Sequence, residues 1–258
     1  MELTDIAREV HSALGNAHAV EPFSARGQRP SQAEAYEVTA ALRSLRGARV
    51  VGRKIGFTNR NIWPLYNIAQ PIWGDVTKDS LLDGRPVSLS RYVEPRLEPE
   101  IVLGLGKSPT PDMDEAAMAA CIEWVAPGFE VVQSIYPGWK FETADTIMAG
   151  GLHGGLLIGE RSTATPEVLA GLDKVKVSLS RNGEEVETGV GANALDGPVS
   201  ALRHLIEVLA MDPHNPPLAA GEVVTTGTLT DAWPLHPGEA WSAKYSGVIE
   251  AEVSLNCA

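Results

Sequence analysis

The chain has 258 residues with 44% apolar and 21% charged side chains, enough to bury a sizeable core in one large domain or two modest ones. Its net charge of −12 argues against nucleic acid as a partner, because phosphates call for Lys/Arg-rich surfaces. An anionic substrate remains compatible with that charge if a bound cation and a few basic residues reverse the field locally. Two cysteines, Cys121 and Cys257, exclude a disulfide scaffold and a Cys-type zinc site. The first residues, MELTDIAREV, lack a basic segment followed by an apolar run, and no stretch approaches ~20 uninterrupted apolar residues. A cytoplasmic protein without a membrane span is the expectation.

Residues 2–17 place Leu3, Ile6, Val10 and Leu14 at helical spacing. After a Pro/Gly-containing loop, Ser31 followed by Glu34 forms a capping-box pattern that predicts a second helix to Leu45. Residues 1–48 therefore read as a helical lead-in to a main body spanning 49–258. From Arg49 the texture changes to short apolar runs punctuated by Gly and Pro. Strands are predicted at 50–57, 100–105, 129–133, 156–159, 175–181, 222–226 and 248–255. Asn182-Gly183 signals a hairpin, and helices are predicted at 114–126 and 198–210. The fold class is α+β with a strand-rich C-terminal body, without regular βαβ alternation.

The strongest local chemistry is Glu98-Pro99-Glu100 leading into an apolar run. On an extended segment residues i and i+2 point the same way, roughly 6.5–7 Å apart. Two carboxylates on one face repel unless something positive lies between them, and Mg²⁺ suits carboxylate oxygens. The competing reading is that both simply face water. Pro99 cannot donate to a ladder, which predicts an edge strand or a bulge there. Glu130 lies between Phe129 and Val131 in a strand that should be buried, so it needs a partner: a metal ion, an Arg, or Lys140. Lys54, in the apolar run VVGRKIGFT, either snorkels to the surface or points into a cavity as a carboxylate binder or proton carrier. The glycine-rich GGLHGGLLIG lacks the G-K-[ST] of a phosphate loop. Its glycines, Gly154 among them, would let a ligand approach the backbone, and His153 could transfer a proton, bind substrate or be merely structural. The loop TTGTLTDAW, with Thr228 and Leu229, could line the same pocket.

The order K-I-G-F-T, L-E-P-E-I-V, F-E-V-V-Q-S, W-K, D-T and T-T-G-T-L resembles the fumarylacetoacetate hydrolase superfamily, from about Ala35 onward. The resemblance is to the branch of 2-keto-4-pentenoate hydratases and 4-oxalocrotonate decarboxylases. It implies a mixed β-roll with an N-terminal helical region, frequently in homo-oligomers. It also implies Mg²⁺ or Mn²⁺ on Glu98, Glu100 and Glu130, with Lys54 at the active site and a small anionic 2-oxo or 2-hydroxy acid as substrate. Two departures are visible. Pro71-Ile72-Trp73-Gly74 stands where the hydratases carry P-D-F/Y-G, and residues 149–153 replace a family D-N-A-S-S. Ile72 and Trp73 would then contact substrate in place of the missing acid, with Asp75 or Asp79 as candidates to compensate. Hydration of a 2-hydroxy-2,4-dienoate is the leading expectation. Decarboxylation of an oxo-dicarboxylate, C–C hydrolysis of a diketo acid, and a binding module without catalysis are its rivals.

Overall fold

A computed structural model describes residues 1–66 and 68–258. In chain order the elements are α1 (Leu3–Gly15), α2 (Gln32–Arg46), β1 (Val50–Gly56), α3 (Trp63–Tyr66), β2 (Ile72–Thr77), β3 (Arg96–Leu105), α4 (Glu115–Ala119) and β4 (Ile122–Val132). They continue as α5 (Thr143–Met148), β5 (His153–Ile158), β6 (Ser162–Thr163), α6 (Pro166–Gly171), β7 (Lys176–Arg181) and β8 (Glu184–Val190). The last are α7 (Pro198–Ala210), β9 (Val223–Thr225), β10 (Trp233–Pro234), β11 (Ala240–Ser246) and β12 (Ala251–Asn256).

Both N-terminal helices form for the reasons legible in the sequence. α1 buries Ile6, Ala7, Val10 and Ala13 on one side. α2 is started by the reciprocal Ser31–Glu34 box and ended by Gly47 in the left-handed region at φ 60°. α1 packs on α2, and α2 on α5. Thr39 donates to the Ile147 carbonyl at 3.0 Å, and Tyr36 stacks on Trp73 with ring centroids 4.8 Å apart. The division at residues 48 and 49 falls between α2 and β1, yet one apolar cluster joins residues from both sides of it.

The body is built on two sheets. The larger has eight strands, ordered β2-β1-β9-β3-β4-β5, with β10 added to β3 and β6 to β4. β1 and β9 run parallel, while β1–β2, β9–β3, β3–β4 and β4–β5 are antiparallel, which makes the sheet mixed. The smaller sheet is an antiparallel set, β12-β11-β7-β8. Its β7–β8 hairpin turns on Asn182 and Gly183, both at positive φ as a type I′ turn requires. Tyr245 on β11 joins the two sheets, donating its hydroxyl to the carbonyls of Glu100 at 2.9 Å and Gly128 at 3.2 Å.

Several expectations need correction. The helix predicted at 114–126 stops at Ala119, and the following residues belong to β4. Its apolar spacing is shared by the alternating strand Ile122–Val132, which is fixed by pairing with all of β3. β2 and β11 were not foreseen, because their Gly, Asp and Lys residues dilute the β pattern, and β8 was implied only as the second arm of the Asn182-Gly183 hairpin. Pro99 is not on an outer edge: β3 lies inside the sheet. Its missing N–H is tolerated because strand pairing on that side of β3 is interrupted. β10 covers Arg96 and Leu97, β9 covers Val102 to Gly104, and the intervening carbonyls of Pro99 and Ile101 accept from Leu229 and Thr226 of a loop. Among the described residues, no helix is long and apolar enough to cross a membrane.

Candidate metal centre and cavity

Strand alternation puts Glu98 and Glu100 on one face of β3, and the antiparallel register sets Glu130 of β4 directly opposite Glu98. One oxygen from each carboxylate can be chosen so that all lie within 4.8 Å of one another. Glu100 and Glu130 are wholly buried; Glu98 is half-buried. Glu100 Oε2 accepts from the Gly227 amide at 2.7 Å and from the Thr225 hydroxyl. Glu130 Oε1 meets His153 Nδ1 at 2.7 Å, and its Oε2 lies 3.3 Å from Lys54 Nζ. Glu100 Oε1 is buried with no hydrogen-bond partner.

Burial lifts all three carboxyls above the ordinary range, Glu98 to about 8, and repulsion from their acidic neighbours adds to this for Glu98 and Glu100. Burial alone would depress Lys54, but attraction from Glu130, Glu98 and Glu100 outweighs it and raises the ammonium above its usual value. One ammonium faces three acidic groups, and a buried carboxylate oxygen is left without a donor. Hard oxygen donors converging in this way fit a divalent cation such as Mg²⁺.

Lys54 does not snorkel: its side chain is 4% exposed. Room for it comes from glycines. A Cβ on Gly151, whose φ is +69°, would lie 3.2 Å from Lys54 Cδ and 3.1 Å from the Gly74 amide. The ammonium and Glu98 share the wall of a cavity of about 300 Å³. Apolar Ile55, Phe57, Ile72, Val132, Trp139 and Phe141 make up much of the rest, with Arg96, Thr58, Asn59 and Thr228 as polar members. Thr228 and Thr58 also border a more polar vestibule that adjoins this cavity.

The remaining predicted residues divide. Ile72 and Thr228 line the cavity, whereas Leu229 is buried and borders only the vestibule. Trp73 does not face the cavity: alternation along β2 turns it to the opposite side, where it is fully buried against Tyr36 and near Arg53. Lys140 is exposed, and Glu130 takes Lys54 and His153 as partners instead. Gly154 borders a separate rear cavity on the far side of His153. A Cβ on Gly154 would come 2.7 Å from the Val131 carbonyl, so the glycine serves packing.

His153 likewise does not line the cavity shared by Lys54 and Glu98. It is buried behind Glu130, with Nε2 2.8 Å from Ser80 Oγ. Burial, then the charges of Lys54 and Arg46, push its pKa down to about 3, so it is neutral. The expected proton carrier gives way to a side chain that orients Glu130. Asp75 cannot compensate for the acid absent at Ile72, since it is held by Arg43 at 2.7 Å and Arg53 at 3.3 Å. Asp79 is exposed and borders the rear cavity.

Arg96 and Ser80 were missed by sequence reasoning, whereas Thr225 and Gly227 lie in the TTGTLTDAW loop singled out there, without their role toward Glu100. Arg96 was detectable: it precedes Glu98 by two, so the alternation that aligns the glutamates also carries it to their face. Ser80 acts through His153, 73 residues away in sequence, which no local pattern reveals.

A family model for the fumarylacetoacetate hydrolase C-terminal region matches residues 69–254. The chain is 30% identical over 249 residues to a 2-hydroxyhexa-2,4-dienoate hydratase from Comamonas testosteroni, across 93% of this chain and 92% of the relative. It is 33% identical over 207 residues to a 4-oxalocrotonate decarboxylase from Pseudomonas sp, across 80% and 78%. The solved 4-oxalocrotonate decarboxylase from Pseudomonas putida G7, complexed with magnesium and adipate, superposes with a TM-score of 0.92 at 26% identity, covering 99% of this chain and 97% of that one. On the matched model, the shared fold and the full-length relatives together, this chain belongs to the fumarylacetoacetate hydrolase family.

Proposed function

We propose that the protein is a divalent-metal-dependent lyase that adds water to a short 2-hydroxy-2,4-dienoate or its 2-oxo-enoate tautomer. The observation carrying this reading is the convergence of Glu98, Glu100 and Glu130 beside the Lys54 ammonium, with Glu98 and Lys54 on the wall of a largely apolar cavity. Glu98, Glu100 and Glu130 would hold Mg²⁺. When bound, a divalent cation supplies Lewis-acid stabilisation of negative charge on the C2 oxygen of such a substrate.

The protein's own residues supply the rest. Lys54 is cationic at neutral pH; it attracts the substrate carboxylate and can move a proton at Nζ to or from the conjugated chain. Thr225 and Gly227 hold Glu100, and His153 with Ser80 holds Glu130, so the carboxylates are oriented before substrate arrives. Ile55, Phe57 and Ile72 exclude bulk water from the carbon chain, and the hydroxyls of Thr58 and Thr228 line the same space for a single water. The relatives named as hydratases support this reading.

Ile72 favours a second reading. An apolar side chain on this wall suits the loss of CO₂ from a 2-oxo acid, since departure of a carboxylate is easier from a less polar setting. The relatives named as 4-oxalocrotonate decarboxylases support this second reading. The test offers Mg²⁺-loaded protein 2-hydroxypenta-2,4-dienoate and 2-oxohex-3-enedioate separately, following absorbance and product mass, with EDTA-treated and Glu98→Gln samples as controls. Metal-dependent gain of water on the first establishes hydration. Metal-dependent release of CO₂ from the second establishes decarboxylation, and silence on both refutes the two readings together.

A further inference from the structure

The proposed chemistry makes no use of the rear cavity behind His153. Its volume is about 450 Å³, within the roughly 300–1,000 Å³ usual for small-ligand pockets. The wall gathers segments far apart in sequence: the ends of α1 and α2, the turn after β2, the approach to β3, and the junction of β4 with β5. Its charge runs against that of the chain. The protein carries −12 overall, yet this wall holds the guanidiniums of Arg46 and Arg91 and the His11 ring against one acid, Asp79. A concave site of that sign concentrates anions that the rest of the surface repels.

Four donor groups on this wall are unused. Arg46 is half-buried at the last turn of α2. Asp75 and Asp79 attract it, but Asp75 is already held by Arg43 and Arg53, and among the described residues no hydrogen bond or ion pair reaches the Arg46 guanidinium. Arg91 is exposed, and its side chain is likewise without a partner among the described residues. Gln133 lies deeper, only 6% exposed. Its Oε1 accepts from the Val93 amide at 3.1 Å, which fixes the orientation of the side-chain amide and leaves Nε2 a donor without a partner among the described residues. A polar side chain this buried ordinarily has its donors satisfied. The fourth is the hydroxyl of half-buried Tyr92, whose ring lies over Gly154.

We infer that the rear cavity is a second binding site, for a phosphoryl dianion carried by free phosphate or a small phosphate monoester, with Arg46 and Arg91 supplying charge and Gln133 and Tyr92 neutral donors. Two permanent positive charges match a dianion. Donors arriving from α2, the approach to β3 and the end of β4 suit an oxyanion with acceptors in several directions, whereas one guanidinium fork would satisfy a planar carboxylate. The site stands apart from whichever reaction the carboxylate cluster performs. Ser80 and His153 lie on its wall, and His153 is also the partner of Glu130, so the test has to separate phosphate in this cavity from phosphate on a bound metal.

The experiment titrates the full-length protein by calorimetry with inorganic phosphate, glycerol phosphate and acetate, at about pH 8, where a phosphoryl group is fully dianionic. Each titration is run on Mg²⁺-loaded protein and on protein stripped of metal and then freed of chelator. Saturable 1:1 binding of phosphate in both forms, with acetate about 10-fold weaker or worse, is the expected result. Glycerol phosphate binding tighter than phosphate assigns the site to an organic ester, and the reverse order assigns it to the free ion. Arg46→Gln should weaken phosphate about 10-fold or more, and Arg46→Lys should keep part of the affinity. Gln133→Glu keeps the acceptor for the Val93 amide while turning the donor into an anion, and should abolish binding. Arg91→Gln should weaken phosphate with Mg²⁺ affinity unchanged. Three results overturn the inference in the unaltered protein, whether or not any variant folds: no saturation by about 10 mM phosphate, short of the millimolar end of specific affinities; binding confined to the Mg²⁺-loaded form; or acetate binding as well as phosphate. Undiminished phosphate affinity in a folded Arg46→Gln protein also overturns it.

Discussion

Replacing Lys54 by methionine separates the electrostatics of this site from its chemistry. Met keeps most of the stem that packs beside Gly151 and removes the charge 3.3 Å from Glu130 Oε2. Breaking a buried pair by deleting one partner costs about 3–5 kcal/mol. At roughly 2–4 °C per kcal/mol for a chain of this size, that lowers the Tm of metal-free protein by about 6–20 °C. Protonation of Glu98, whose pKa is already near 8, should hold the loss toward the lower end. The sign with pH is definite. The folded pKa of Lys54 is raised, so its contribution is fully present below its unfolded value of 10.5 and fades only as pH climbs through the higher folded value. Melting at pH 7 is therefore a fair assay. Mg²⁺ should restore more stability to the variant than to the unaltered protein, because no ammonium competes for the carboxylates. Thermal melts of both proteins in EDTA and in a Mg²⁺ titration test this. An unchanged metal-free Tm, or a smaller Mg²⁺ increment in the variant, refutes the charge balance argued above.

The pH dependence of metal binding follows from the same groups. The Glu98 carboxyl has a folded pKa raised from 4.5 to about 8, so it favours the metal-free fold below pH 4.5 and loses that contribution as pH rises through about 8. Metal-free protein should thus weaken across this window while Mg²⁺ affinity rises. Calorimetry in buffers of different ionisation enthalpy should detect proton release on binding, and an affinity flat from pH 6 to 8 would contradict the assignment. His153→Phe removes the donor to Glu130 Oε1 and should lower Mg²⁺ affinity by roughly 10–100-fold, the range for outer-sphere partners of metal ligands. Ser80→Ala should produce a smaller loss in the same titration, since it acts one bond further out.

Where sequence reading succeeded and failed has a physical pattern. α1, α2 and α7 were legible because a helix face and its caps are written within a few turns, as at Ser31 and Glu34. The β7–β8 hairpin was legible because Asn182-Gly183 encodes its own turn. The three glutamates were singled out because a carboxylate in an apolar strand has few affordable alternatives to a positive partner. What escaped was the direction of side chains relative to a cavity formed by distant segments. Ile72 and Trp73 are adjacent, yet a strand sends one to the cavity and the other to Tyr36. Lys140 fails for a related reason: its neighbours Trp139 and Phe141 line the cavity while it is exposed. His153 was found by its unusual setting, but only the register of β4 against β5 shows that it stands behind Glu130.

Pro99 links the fold to the site more closely than its chemistry suggests. A strand inside a mixed sheet ordinarily has its backbone donors and acceptors used on both sides, leaving no ladder position for a loop. Here β9 is short, ending its pairing with β3 at Val102, and β10 resumes only at Leu97. The interval contains Pro99, which has no N–H to lose, between Glu98 and Glu100 of the candidate metal site. Into that interval comes the loop after β9, whose Leu229 and Thr226 amides take the Pro99 and Ile101 carbonyls. The same loop turns at Gly227, with φ +105°, and its amide meets Glu100 Oε2 at 2.7 Å. A Cβ on Gly227 would strike the Thr58 side chain, so glycine is required both by the turn and by the approach to the cavity wall. The interruption of the ladder at Pro99 thus lets one loop satisfy the β3 backbone, orient a buried carboxylate and present Thr228 to the cavity beside Lys54 and Glu98.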